Sequence, residues 1–155
     1  MNRIVNIGFL LIFLAAGCRG QRVNSAKESE YKTQEMAIIL LEKDLYGGTE
    51  EKSLEVIKEE ASLKEFYSRI NRTRKPGLKV PQIDFKKDML LLYCPGNTNN
   101  VLDENSVSLE IQEDTLEFGM SNASSEENYN SVLLQPFYLF KLPLDEREVH
   151  LLEQE

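Results

Sequence analysis

Histidine, cysteine and tryptophan are nearly missing from this chain of 155 residues, which holds one His, two Cys and no Trp. A single histidine excludes a histidine-rich metal site and leaves little for triad or dyad chemistry, which takes an imidazole as base. Basic residues are also scarce: 18 Lys and Arg stand against 26 Asp and Glu, for a formal net charge of -8. Nucleic-acid phosphates are held by clustered Lys and Arg, so nucleic acid is excluded as a main partner. Eight Gly and five Pro are too few for a collagenous or low-complexity chain, and 41% hydrophobic residues are too many for a disordered one. The length suits one ordinary domain with a real core and leaves no room for two. Long apolar runs are lacking too. The longest, Ile4 to Ala16, is nearly continuous and has 13 residues, short of the roughly 20 that a permanent membrane span needs.

That short run has the layout of an export signal. Arg3 supplies a positive start, and Ala15, Ala16 and Gly17 form a small-residue end leading straight into Cys18. The stretch LAAGC, with Leu14 in the apolar position, resembles the lipobox of bacterial lipoproteins. The resemblance implies cleavage after residue 17, a diacylglycerol thioether on Cys18, and acylation of the new N-terminus with a palmitate-class chain. Two or more acyl chains anchor stably where one does not. The expectation is therefore a lipid-anchored protein of the bacterial cell envelope. Arg19, with no early acidic run behind it, is similar to signals that sort lipoproteins to the outer membrane, facing the periplasm. The plainer alternative is an ordinary secretory signal with a chance cysteine.

Residues 19–32 are polar and lack an apolar period, so 18–32 reads as a lipidated cysteine and flexible tether. Residues 33–155 read as a single α+β domain carrying a net charge of -11. Its charge is lopsided. Residues 33–100 are neutral, whereas 101–155 place only Lys141 and Arg147 against 13 carboxylates. A solvated acidic face explains this, as does steering toward a basic partner surface.

Periodicity predicts the elements. Met36 to Leu45 is an apolar run that stops at the Gly47-Gly48 turn, and Ser53 to Lys58 reads as the strand returning from it. Leu63, Phe66, Tyr67 and Ile70 recur at spacings of three and four, which predicts a helix over 59–72 ended by Pro76-Gly77. Met89 to Tyr93 is continuously apolar, as in a strand buried on both faces. Val107, Leu109 and Ile111 alternate with polar residues, as do Leu116, Phe118 and Met120 beyond a turn centred on Asp114. Val132 to Leu142 reads as a last long strand bent at Pro136. The expectation is a mainly antiparallel sheet of about six strands with one principal helix, an α+β fold.

Chemistry-bearing motifs are few. Cys94 alone remains after lipidation, so no intramolecular disulfide can form, and its place at the end of an apolar strand predicts a buried thiol. His150 reads as a surface residue. Asp103-Glu104 and Glu126-Glu127 lie in Asn- and Ser-rich loops without calcium-loop spacing, and no catalytic set, metal-ligand set or cofactor motif is present. One constellation stands out by charge. Arg69, Arg72, Arg74, Lys75 and Lys79 fall in 11 residues free of acidic side chains. With Asn97, Asn99 and Asn100 in the loop expected over 97–105, they form the candidate partner-binding surface, the two loops bracketing the buried strand. A helix end with a solvated loop is the plainer account.

The stretch VPQIDFKKDMLLLYCPG, Val80 to Gly96, resembles the C-terminal domain of the protease complex subunit PrcB family. The matching positions are Pro81, Ile83, Asp84, Phe85, Lys87, Met89 to Tyr93 and Gly96. SLEVIKEEASLKEFYSRI upstream is similar to the family's strand and aromatic-rich helix, and QPFYLFKLP downstream to its closing strand. The resemblance covers roughly residues 36–143. It departs after the central strand, where many members carry a Thr-Gly-Gly-Tyr-like turn and this chain has GNTNNVLDENS. It implies a non-catalytic accessory domain that binds another exported protein, such as a protease. The alternative class is a small envelope hydrolase or carbohydrate-active enzyme using loop carboxylates.

Overall fold

Strands that are apolar throughout lie inside this protein, and strands that alternate lie with one face outward. The computed structural model describes residues 36–122 and 129–152. The expected leader, the tether and the Glu126-Glu127 pair lie outside them. In chain order the elements are β1 (Ile39–Asp44), β2 (Ser53–Ile57), α1 (Glu60–Asn71), β3 (Asp88–Cys94), β4 (Thr98–Asn100), β5 (Leu102–Gln112), β6 (Thr115–Asn122), β7 (Tyr129–Leu134), β8 (Phe137–Pro143) and β9 (Glu148–Leu151). Four strands form a central antiparallel sheet in the order β1-β8-β3-β2. This is the α+β fold with a mainly antiparallel sheet and one helix; β6 and β9 form its one described parallel pair.

The central strand β3 explains the layering. Leu90, Leu92 and Cys94 point to the face covered by Leu63, Phe66, Tyr67 and Ile70 of α1. Met89, Leu91 and Tyr93 point the other way, into a cluster with Leu116, Phe118 and Met120 of the second sheet, β5-β6-β9. A continuous apolar run is what two covered faces demand. The aromatic residues divide likewise. Phe66 meets Tyr67 and Phe137 edge-on at 5.3 and 5.1 Å on the helix side. On the sheet side Phe118 lies 5.4 Å from Tyr93 and 5.5 Å from Phe140. Tyr138 Oη accepts the Leu102 N–H at 3.1 Å, fastening the start of β5 to the central sheet. The helix carries Glu60 in its first turn and Arg69 in its last, matching the dipole.

The architecture differs from the sequence expectation in four places. There are nine described strands, the short β4 and β9 being additional to those expected. β2 does not return along β1; the two lie on opposite edges, and β2 pairs with β3 from Ser53↔Cys94 to Ile57↔Leu90. The run Val132 to Leu142 is two strands in different sheets, because Pro136 and Gln135 interrupt the ladder between β7 and β8. The loop expected over 97–105 is largely strand: Thr98–Asn100 pairs with β7, and Asp103 to Asn105 belong to β5 within its register shift. No helix among the described residues is long and apolar enough to cross a membrane.

Candidate functional site

The loop between β1 and β2 is stitched to the interrupted ladder, and that fixes its backbone. Gly48 N–H donates to Gln135 O at 2.9 Å, Gln135 N–H to Leu45 O at 3.1 Å, and Asn97 N–H to Glu50 O at 2.9 Å. Gly47 has φ of 107°, a left-handed conformation that favours glycine. A Cβ on Gly48 would sit 2.2 Å from Pro136 O, so only glycine fits there. A groove of about 420 Å³ opens where this loop faces the end of α1, lined by Tyr46, Gly47 and Gly48 on one side and by Arg69, Arg72 and Arg74 on the other.

Of the five predicted cations Arg74 is tied into the fold, and the other four are exposed without an ion pair among the described residues. Arg74 Nη1 donates to Asp44 Oδ2 at 2.6 Å, its Nη2 donates to Tyr46 O, and both side chains are mostly buried. That hydrogen bond holds the Asp44 carboxyl below the usual carboxylate range and raises Arg74. Arg74 is thus a tie between α1's exit and β1, and does not belong to an exposed patch as expected. Arg69 lies over the Phe66 ring at 5.5 Å. Arg72, Lys75 and Lys79 are exposed and have no ion pair among the described residues. Asn71 closes the turn that bears them: its amide donates to Leu78 O at 2.9 Å and accepts the Leu78 N–H at 2.8 Å.

The asparagines are placed differently. Asn97 Oδ1 accepts from Gln135 Nε2 at 3.0 Å, and Asn100 N–H donates to Thr98 Oγ1 at 3.0 Å. Asn99 lies in β4 beside them. The described contacts bring neither Asn97 nor Asn100 to the basic segment. Both regions instead touch the β1–β2 loop, Arg74 at Asp44 and Tyr46, Asn97 at Glu50. Sequence reasoning treats Gly47-Gly48 as a turn only and misses Tyr46, half exposed at 52%. The signal for it is an aromatic beside a Gly-Gly pair.

Other candidate chemistry is dispersed. Cys94 is buried under the helix, as its strand position predicts. His150 is exposed on β9, 3.6 Å from Glu148, in a different layer from Cys94. Glu104 is ion-paired with Lys43, and Asp103 accepts from Asn105. Hydrogen bonds from Arg147 lower the Asp145 carboxyl to about 2. Burial, with the charge of Glu42 behind it, pushes the Tyr67 hydroxyl up to about 12; that hydroxyl is buried with no hydrogen-bond partner among the described residues. No group of three or more His, Cys, Asp or Glu suited to a metal occurs among the described residues. No protein-family model, curated protein or solved structure matches the chain.

Proposed function

We propose that the protein is a lipid-anchored component of the bacterial cell envelope, held through Cys18, and that its α+β domain is a non-catalytic module binding another exported protein. The observation carrying this reading is the groove between the β1–β2 loop and α1, lined by Arg72, with Lys75 and Lys79 exposed on the segment that follows. These three cations, without an ion pair among the described residues, stand on a body of net charge -11. A basic surface on an acidic body selects an acidic partner and speeds encounter with it. The resemblance of Val80 to Gly96 to the PrcB family supports the role of an accessory subunit in a protease complex. The outer membrane, with the domain facing the periplasm, is the proposed address.

Two experiments test the two halves. Changing Arg72, Lys75 and Lys79 to Ser leaves Arg74 and the fold in place, because single exposed changes cost under about 0.5 kcal/mol. Crosslinking pull-down from native envelopes is expected to lose the partner, more at low salt than at high salt; undiminished capture at low salt refutes the surface. A Cys18→Ser variant is expected to keep its leader and leave the membrane fraction. Unaltered mature mass and membrane association refute the anchor.

A further inference from the structure

A second groove, of about 540 Å³, runs along α1 beside the outer edge of β2 and shares Arg69 and Arg72 with the first. Ser62, Glu65, Arg69 and Arg72 recur along α1 at spacings of three, four and three, so they form one stripe on the helix. That stripe is one wall of the groove; Glu55 of β2 is the other, and Phe66 lies between them. Glu55 stands opposite Leu92, a residue of the helix-facing core, which puts its side chain on the same side of the sheet as α1.

The strand bordering this groove is unpaired on its outer side. β2 is the end of the order β1-β8-β3-β2, and the backbone of Ser53–Ile57 makes no described bond to any element but β3. Sheet edges of this kind are templates for another strand unless something blunts them. The opposite edge is blunted: β1 has a register shift between Leu40 and Glu42. β2 keeps regular register over its whole length. An edge strand, a parallel helix flank and a groove between them are the parts that strand addition uses, main-chain bonds giving affinity and side-chain pockets giving choice.

We propose that the β2–α1 groove takes an extended peptide segment of a partner protein, added as a fifth strand to the central sheet. The groove fixes the chemistry of that segment. α1 leaves β2 after two residues and runs back along it, so Arg69 and Arg72 lie toward the Ser53 end, while Glu55 and Glu65 lie further along. Neither Glu55 nor Glu65 has an ion pair among the described residues, and neither does Arg72. The matching strand has an acidic side chain at the Ser53 end and a basic side chain further along. This rests on the reading of the domain as a binding module and names the kind of segment it binds.

The test uses the full chain in detergent and a random dodecapeptide display library as probe. Selected peptides are expected to be β-prone with an acidic end, and a synthetic peptide of that sequence is expected to slow amide exchange across Ser53–Ile57. Exchanging Arg69 and Arg72 for Glu is expected to weaken that peptide tenfold or more, and a peptide with lysine at the acidic positions is expected to recover binding. No enrichment overturns the proposal, as does binding that leaves β2 exchange unchanged. Envelope capture reads the broader function separately: a captured partner that leaves β2 unprotected keeps the binding module and refutes strand addition.

Discussion

The two chain segments that pair as β3 with β8 pair again, further along, as β4 with β7, and the two ladders are covered to different extents. In the first, all of Met89 to Cys94 and Phe137 to Phe140 are buried, with a layer on each face. In the second, only Leu134, at the end next to the break, is among the buried residues described, while Val132 and Leu133 are each 58% exposed although they point to opposite sides of the ribbon. Backbone pairing is the same in kind, so pairing does not decide burial. What differs is cover: α1 and the β5-β6-β9 sheet sandwich the first ladder, and a two-stranded ribbon has little stability of its own. The break between them, at Pro95 to Asn97 opposite Gln135 and Pro136, is where the β1–β2 loop docks.

The contrast can be broken most strongly at its buried end. Leu91→Ala removes a fully buried side chain between the two sheets and is expected to cost about 2–5 kcal/mol in chemical denaturation. Gly48→Ala drives a methyl into Pro136 O and is expected to cost about 1–3 kcal/mol while detaching the loop from the ladder, read as faster amide exchange at Gln135.

Tyr67→Phe deletes a buried hydroxyl that has no partner among the described residues, and a gain of about 1 kcal/mol is expected. Its pH dependence sharpens the point. The Tyr67 hydroxyl ionises near 10 when unfolded and is pushed up to about 12 when folded, so its ionisation leaves stability unchanged below pH 10 and lowers it as pH rises from 10 through 12. The phenylalanine variant is expected to lose that alkaline sensitivity. Asp145 behaves with the opposite sign. Lowered to about 2, it stabilises the fold above pH 4 and loses that effect as pH falls toward 2. Asp145→Asn is expected to flatten acid unfolding there, with a smaller change at neutral pH than Gly48→Ala produces. At the uncovered end, Val132→Ser with Leu133→Ser is expected to shift stability by no more than about 0.5 kcal/mol per residue.

Much of the architecture is legible in the sequence. The helix follows from Leu63, Phe66, Tyr67 and Ile70, all of which are buried; the central strand follows from an unbroken apolar run, and it is covered on both faces. Asp84, suited to bonding nearby amides, accepts the Lys86 N–H through Oδ1 at 3.2 Å. β9 escapes the pattern although Val149 and Leu151 alternate with His150, because four residues are too few to stand out against the polar tail. β4 carries no apolar signal at all; Thr98–Asn100 is a strand only because β7 lies beside it.

Local pattern by itself determined which residues are helical, which strand is central, and that Cys94 is inside, because periods of 3.6 and 2 and continuous apolar runs are properties of neighbouring residues. Tertiary structure alone decided that β1 and β2 flank the sheet instead of pairing, that Arg74 is spent on Asp44 while Arg72 is free, and that an edge strand and a helix flank enclose a groove. The first two of those outcomes depend on residues 30 or more positions apart, as with Asp44 and Arg74. A contact across that distance is selected by the energy of the whole packed core, which no short window of sequence contains.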